Sequence, residues 1–322
     1  MKKCFMICAA IASVSALSAC DVLESMILRP SVNIRATPAD FGYHAEEKTL
    51  LLEDGREVSI WHCKSAVEPR KGIMVVVPGN DANKGRYTSG LPLFADFGWD
   101  MILMDYPGFG ASTGEKSLDG LVESTFAVTD YAMAESDVVV GYGISLGTAV
   151  LLRVAAERDF DAVMFESTLN LWEEGSLFVE HFAGDLFLIE AINLVAMASF
   201  SEDWDAKRWA AQVTEPKLFI HSAGDNVTPF TGAWDVYEAS PAPKHMFVTE
   251  GEHALQVFLD PVLYRETVNG WLDGVLNRDP ILNEKFMEIL QIEIEQALDE
   301  LGWLENDDAL LDALNAIVLP GR

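Results

Sequence analysis

Residues 143–147 read Gly-Ile-Ser-Leu-Gly, and their flanks constrain what the chain can fold into. Upstream, residues 137–142 contain the β-branched run Val138-Val139-Val140, which reads as a buried strand. Downstream, residues 148–158 read as a helix. A strand that turns through Gly-x-Ser-x-Gly directly into a helix has no space for side chains at the two glycine positions. It holds the serine at strained backbone angles, with the hydroxyl pushed into the open over the positive end of the helix. Ser145 is therefore a candidate nucleophile, and the frame around it is a sheet covered by helices.

A serine hydroxyl is a poor nucleophile at neutral pH and needs a base, itself oriented by an acid. In the chain order of this strand–turn–helix architecture the acid and then the histidine follow the serine. Four histidines follow it: His181, His221, His245 and His253. Residues 217–222 read as a strand that runs into a polar loop carrying Asp225. Residues 244–249 read as the next strand, followed by a loop carrying His253. Asp225 and His253 thus sit just past strand ends, on the side where Ser145 also emerges. Glu166, at the end of the strand-like run 161–166, is the competing acid. His221 reads as a packed strand residue and His245 as an exposed one. His181 lies in an apolar insertion, and His44 and His62 lie in the first strands.

These residues carry a family resemblance. The chain is similar to α/β-hydrolase-fold serine hydrolases, and within them to the serine-aminopeptidase-like small hydrolases. Pro78-Gly79-Asn80-Asp81-Ala82-Asn83 resembles that branch's His-Gly-Asn-x-x-Asn loop. Residues 105–114 resemble its Asp-Tyr-Arg-Gly-Tyr-Gly-x-Ser-x-Gly loop. Pro78 stands for the usual His and Pro107 for the usual Arg. The resemblance covers roughly residues 48–278 and implies an α/β fold with a mostly parallel eight-stranded sheet, helices on both faces and a small helical cap. It also implies acyl transfer in which His253 takes the Ser145 proton, Asp225 fixes the imidazole, and the backbone N–H groups of Leu146 and Asn80 hold the oxyanion. That chemistry calls for no cofactor and no metal.

The N-terminus carries a second signal. Lys2 and Lys3 precede a mostly apolar stretch from Phe5 to Leu17, which reads as a secretory signal peptide too short to span a bilayer. It ends in Leu17-Ser18-Ala19-Cys20, which resembles a bacterial lipobox. That implies a lipidated Cys20, a cell-envelope location and membrane association through its acyl chains. Asp21 next to it resembles the enteric inner-membrane retention signal, which implies the periplasmic face of that membrane in a Gram-negative cell. After such processing Cys63 is the one thiol left, in a strand-like run where it reads as a small buried apolar residue. The formal net charge of −29 argues against nucleic acid and anionic headgroups as partners.

Organisation follows from the alternation of apolar runs. Residues 1–19 read as the signal peptide, 20–47 as a lipidated tether and 48–280 as the hydrolase domain. The Asp54-Gly55 pair joins two antiparallel strands at its start. Residues 169–216 break the alternation and read as a helical cap, whose Phe182 and Phe187 are candidates for an acyl pocket. After Pro280, apolar residues recur at spacings of three and four among ten acidic residues. Residues 281–322 therefore read as an acidic helical extension that packs on the domain or meets a second copy or an envelope partner. The function expected is hydrolysis of small-molecule acyl esters. Peptide or thioester cleavage by the same triad, or a catalytically silent lipoprotein that binds an envelope protein, are the alternatives.

Overall fold

The computed structural model describes Glu24, residues 27–175, 201–254 and 256–277. The expected signal peptide (residues 1–19), Cys20, Asp21, Phe182, Phe187, His181 and the expected helical extension (residues 281–322) lie outside these residues.

Among the described residues eight strands form one sheet: β1 (Ala45–Leu51), β2 (Glu57–Cys63), β3 (Gly72–Val77), β4 (Trp99–Met104), β5 (Val139–Ile144), β6 (Ala162–Glu166), β7 (Lys217–Ser222) and β8 (Lys244–Thr249). Their spatial order is β1-β2-β4-β3-β5-β6-β7-β8. β2 runs antiparallel to both β1 and β4, and all other pairings are parallel. This is a mostly parallel sheet of the kind the apolar runs suit, with the eight strands that the family resemblance implies. β1 is an edge strand, and its exposed Glu46 and Glu47 discourage pairing with another chain.

Helices cover both faces, which is why β3 to β8 are buried along nearly their whole length and mostly apolar. On one face Val75, Val77, Ile102 and Met104 pack against α2 (Leu118–Glu135), α3 (Leu146–Ala155) and α5 (Phe230–Ala239). On the other, Met74, Val76, Met101 and Leu103 meet Leu91 and Phe94 of α1 (Leu91–Phe94) and Tyr264, Val268 and Trp271 of α7 (Pro261–Asn277). The alternation of neighbours between faces is the period-two geometry of a strand. α2 starts where the Ser117 side chain accepts the Gly120 N–H. Leu151 is fully buried in the first core, so truncating it to alanine would cost about 2–5 kcal/mol.

Three expectations are corrected. Residues 27–47 are not a free tether. Ile27 and Leu28 are fully buried. The chain after them runs extended over the domain, where Ser31 O accepts from Gly110 N at 2.9 Å and Leu28 O accepts from Lys116 Nζ at 2.6 Å. Pro30 discourages a helix, so these backbone groups are satisfied by loops instead. Within the expected cap, residues 201–216 belong to the domain body. The segment Glu202–Trp204 and α4 (Ala206–Ala210) bury Trp204, Ala206, Ala210 and Val213 in the same core as α3. His245 is buried rather than exposed, because α7 covers β8. It accepts a hydrogen bond from Trp271 Nε1 at 2.8 Å, and burial pulls its pKa down to about 4.

Candidate active site

The turn at Ser145 is dictated by backbone contact. A side chain at Gly143 would put its Cβ 2.7 Å from Gly147 O, and one at Gly147 would lie 2.1 Å from Val77 O. Neither position has space for more than hydrogen. Between them Ser145 adopts φ 54°, ψ −122°, a conformation that L-residues avoid. Its N–H donates to Glu166 O at 2.8 Å, so β6 anchors the turn. Leu146 opens α3, and its N–H belongs to the first helical turn, where no intrahelical acceptor exists.

His253 and Asp225 come to the same place from the loops after β8 and β7. His253 Nε2 lies 2.8 Å from Ser145 Oγ. On the other edge of the ring, Nδ1 lies 2.8 Å from Asp225 Oδ2 and 3.1 Å from Oδ1. Asp225 is held in turn by the N–H groups of Val227 and Thr228, at 2.9 and 2.8 Å, and by the Thr228 hydroxyl at 3.0 Å. Burial alone would raise the carboxyl. The bond to His253, the electrostatic influence of the His253 and His221 rings and the Thr228 N–H outweigh it, and Asp225 ends at about 2. It is therefore an anion at neutral pH.

The remaining candidates fall into supporting positions. Glu166 makes no hydrogen bond to His253. Its Oε2 accepts the hydroxyls of Tyr142 and, at 2.7 Å, Tyr264, which ties β6 to β5 and α7. Burial raises its pKa. His221 is fully buried: Thr168 N donates to its Nδ1 and its Nε2 donates to Thr228 O. That pattern fixes a neutral tautomer, and burial lowers its pKa accordingly. Cys63 is buried and its thiol is pushed up to about 12, which makes it inert. His62 is buried beside Asp100, at 3.3 Å, and Tyr131, while His44 is exposed.

Asn80 sits on the loop after β3, which is packed onto the serine turn. A Cβ at Gly79 would lie 3.4 Å from Ser145 Cβ. Tyr87 OH takes the Gly79 N–H at 2.7 Å, and Tyr106 OH donates to Pro78 O at 3.0 Å. With the Gly79 N–H engaged, the next amide along the loop is that of Asn80. The N-terminal segment braces the same loop: Arg29 N donates to Asn80 Oδ1 at 3.3 Å, and Asn83 Nδ2 donates to Ser31 O and Asn33 O. Sequence reasoning missed Tyr87, Thr228 and this brace. Of the three, the Asp225-x-x-Thr228 spacing was the readable signal, because Asp side chains commonly cap their own loop two and three residues on.

A cavity of about 550 Å³ opens beside Ser145 and His253. Its wall is largely apolar, with Val76, Leu93, Phe94, Met101, Ile144 and Val257 contributing. Asn80, Asp81, Arg86, Asn226 and Glu252 supply polar groups. The described lining comes from strand ends, α1 and the segment around α6 (Gln256–Leu259). Among the described residues no group of His, Cys, Asp and Glu is arranged to hold a metal ion, and no helix is long and apolar enough to cross a membrane.

No family model matches the chain. It is 25% identical over 271 residues to the Escherichia coli (strain K12) protein YfhR, described as uncharacterized, covering 78% of this chain and 90% of that one. It is 27% identical over 244 residues to the mouse lysophosphatidylserine lipase ABHD12, covering 65% of this chain and 60% of the lipase. Among solved structures it resembles the Pyrococcus furiosus esterase Pf2001 with a TM-score of 0.65 at 15% identity, covering 78% of this chain and 98% of the esterase. An esterase from Exiguobacterium antarcticum aligns with a TM-score of 0.54 at 16% identity, covering 71% and 100%. The fold is that of the α/β-hydrolases.

Proposed function

We propose that this chain is a serine hydrolase that cleaves acyl esters through Ser145, His253 and Asp225. The observation that carries the reading is the unbroken line from Ser145 Oγ through the His253 ring to Asp225, with 2.8 Å at each link, at the mouth of an apolar cavity. As Ser145 Oγ attacks the acyl carbon, His253 Nε2 accepts its proton, and Asp225 stabilises the imidazolium without taking a proton itself. The carbonyl oxygen becomes an oxyanion facing the N–H groups of Leu146 and Asn80, each such donor being worth roughly 100- to 1,000-fold in turnover. His253 then returns the proton to the departing alcohol, leaving an acyl-enzyme on Ser145. Water, deprotonated by the same imidazole, releases the acid.

The apolar wall favours an acyl chain over a peptide. Esterases among the similar structures and a lysolipid lipase among the relatives point the same way. A monoacyl lipid ester fits both the cavity and that company. The enzyme would be held at the cell envelope by acyl chains on Cys20, as the lipobox-like tetrapeptide implies. A Cys20→Ser chain should then take up no metabolic lipid label.

The test is a panel of nitrophenyl esters of increasing chain length. Each buried methylene contributes about 0.8 kcal/mol, so kcat/KM should rise about fourfold per carbon until the cavity is full, then fall. Phe94→Ala, which enlarges the cavity wall, should move the optimum to longer chains. A flat profile, or activity that survives Ser145→Ala, would contradict the reading.

A further inference from the structure

Eight large apolar side chains are exposed among the described residues, and four of them lie within six positions: Phe258, Leu259, Val262 and Leu263. They occupy α6 and the first turn of α7. Isolated exposed apolar residues are ordinary on protein surfaces, but a contiguous patch marks an interaction site. This patch is continuous with the cavity, because Val257, Phe258 and Pro261 of the same segment line it. Phe258 belongs to both, 65% exposed at the surface and facing the cavity that holds Ser145.

We propose that this patch docks the enzyme on a zwitterionic lipid surface, so that a lipid ester passes from that surface into the cavity without crossing water. The inference rests on the ester-hydrolase reading above. Position argues for lipid over a folded partner: whatever covers the patch lies over the cavity mouth, where a protein would stopper it and a lipid surface would supply it. Charge argues for a neutral interface. The groups flanking the patch are the exposed acids Glu252, Asp260 and Glu266, and the neighbouring Arg265 directs its guanidinium onto the Phe97 ring, 5.2 Å away. With a net charge of −29 behind them, anionic headgroups would be repelled. Exposed apolar side chains gain by entering the boundary between headgroups and acyl chains, whatever the lipid's charge.

The test uses the full chain and a Val262→Gln/Leu263→Gln variant. Leu259 is left in place because it packs against Gly251, near His253. On a butyrate ester kept below its solubility limit, both proteins should show the same kcat/KM within about twofold. On a monoacyl lipid ester carried in phosphatidylcholine vesicles, the variant should be slower by about tenfold or more, given the apolar surface it no longer buries. Both carry the same N-terminus, so any acyl anchor cancels in this ratio. Replacing a third of the phosphatidylcholine by phosphatidylserine should slow the wild type. Cosedimentation with the same vesicles, both proteins in a Cys20→Ser background, reads docking without turnover: the wild type should pellet and the variant should not. Failure of the wild type on both esters would remove the hydrolase reading, while cosedimentation would still decide the docking. Equal vesicle rates for the two proteins, or faster turnover on phosphatidylserine, would overturn the proposal. Equal vesicle rates together with a change from dimer to monomer in the variant would assign the patch to a second copy of the chain.

Discussion

The two halves of the site are held by different forces. The Ser145 half is fixed by sterics: two glycines between strands, a strained serine, and a helix that starts at once. The His253 half is fixed by polar contacts between loops. Asp225 rests on two backbone N–H groups and the Thr228 hydroxyl, and Ala254 N reaches Ser167 Oγ at 3.1 Å beside the histidine. Ser167 and Ala254 both take positive φ values, 53° and 51°, so the loop after β6 and the loop after β8 meet in strained conformations. The contrast teaches that the first half tolerates no substitution at its glycines, whereas the second should fail by degrees as single bonds are removed.

The largest effect should follow from Gly147→Ala. Its Cβ would lie 2.1 Å from Val77 O and 2.6 Å from Pro78 O, both backbone atoms that cannot turn aside. The expected outcome is a chain that does not fold to a cooperative thermal transition. A variant with near wild-type Tm and activity would break the steric account.

Asp225→Asn comes next. It leaves the loop in place but removes the charge that orients His253, which in triads of this kind costs about 10⁴-fold in kcat. Glu166→Gln should stay within a few-fold, because that side chain serves Tyr142 and Tyr264 and not the imidazole. If the Glu166 variant lost as much as the Asp225 variant, the assignment of the acid would be reversed.

Thr228→Val sharpens the comparison at a smaller scale. It removes a hydroxyl that touches both Asp225 and, at 3.3 Å, His253 Nδ1, while the backbone donors to Asp225 remain. One lost hydrogen bond to a charged group, about 1.5–3 kcal/mol, predicts a roughly ten- to hundredfold fall in kcat with KM little changed.

The effect with the least bearing on turnover lies outside the site. His245 titrates near its usual 6.5 when unfolded but at about 4 when buried beside Trp271. The folded state therefore binds fewer protons between these values, and stability should fall as pH drops from 6.5 to 4, by on the order of 2–3 kcal/mol in all. His245→Gln keeps an acceptor for Trp271 and should flatten that part of the curve in urea titrations at stepped pH.

The same division explains what could be read from the chain. The serine turn was legible because steric demands leave glycines at fixed spacing between a strand run and a helix run. Asp225 and His253 were legible as polar residues shortly past apolar strands, in the right order. Most of the supporting network was not, because Tyr87 and Tyr264 carry no local pattern; only Thr228, three residues from the carboxylate it holds, left a readable spacing. His245 was misread for a related reason: strand periodicity does not reveal that α7 covers its face. Ile27 and Leu28 were misread because Pro30 and a short polar run look like a linker, and their burial depends on loops far along the sequence.

The central claim is that Ser145 is the atom to which the acyl group is transferred. Treating the protein with a fluorophosphonate, then measuring intact mass and mapping the modified peptide, tests this directly. The account predicts one adduct, on Ser145, which is lost in Ser145→Ala and slowed by orders of magnitude in His253→Ala. An adduct on another residue, or undiminished labelling of the Ser145→Ala protein, would contradict it.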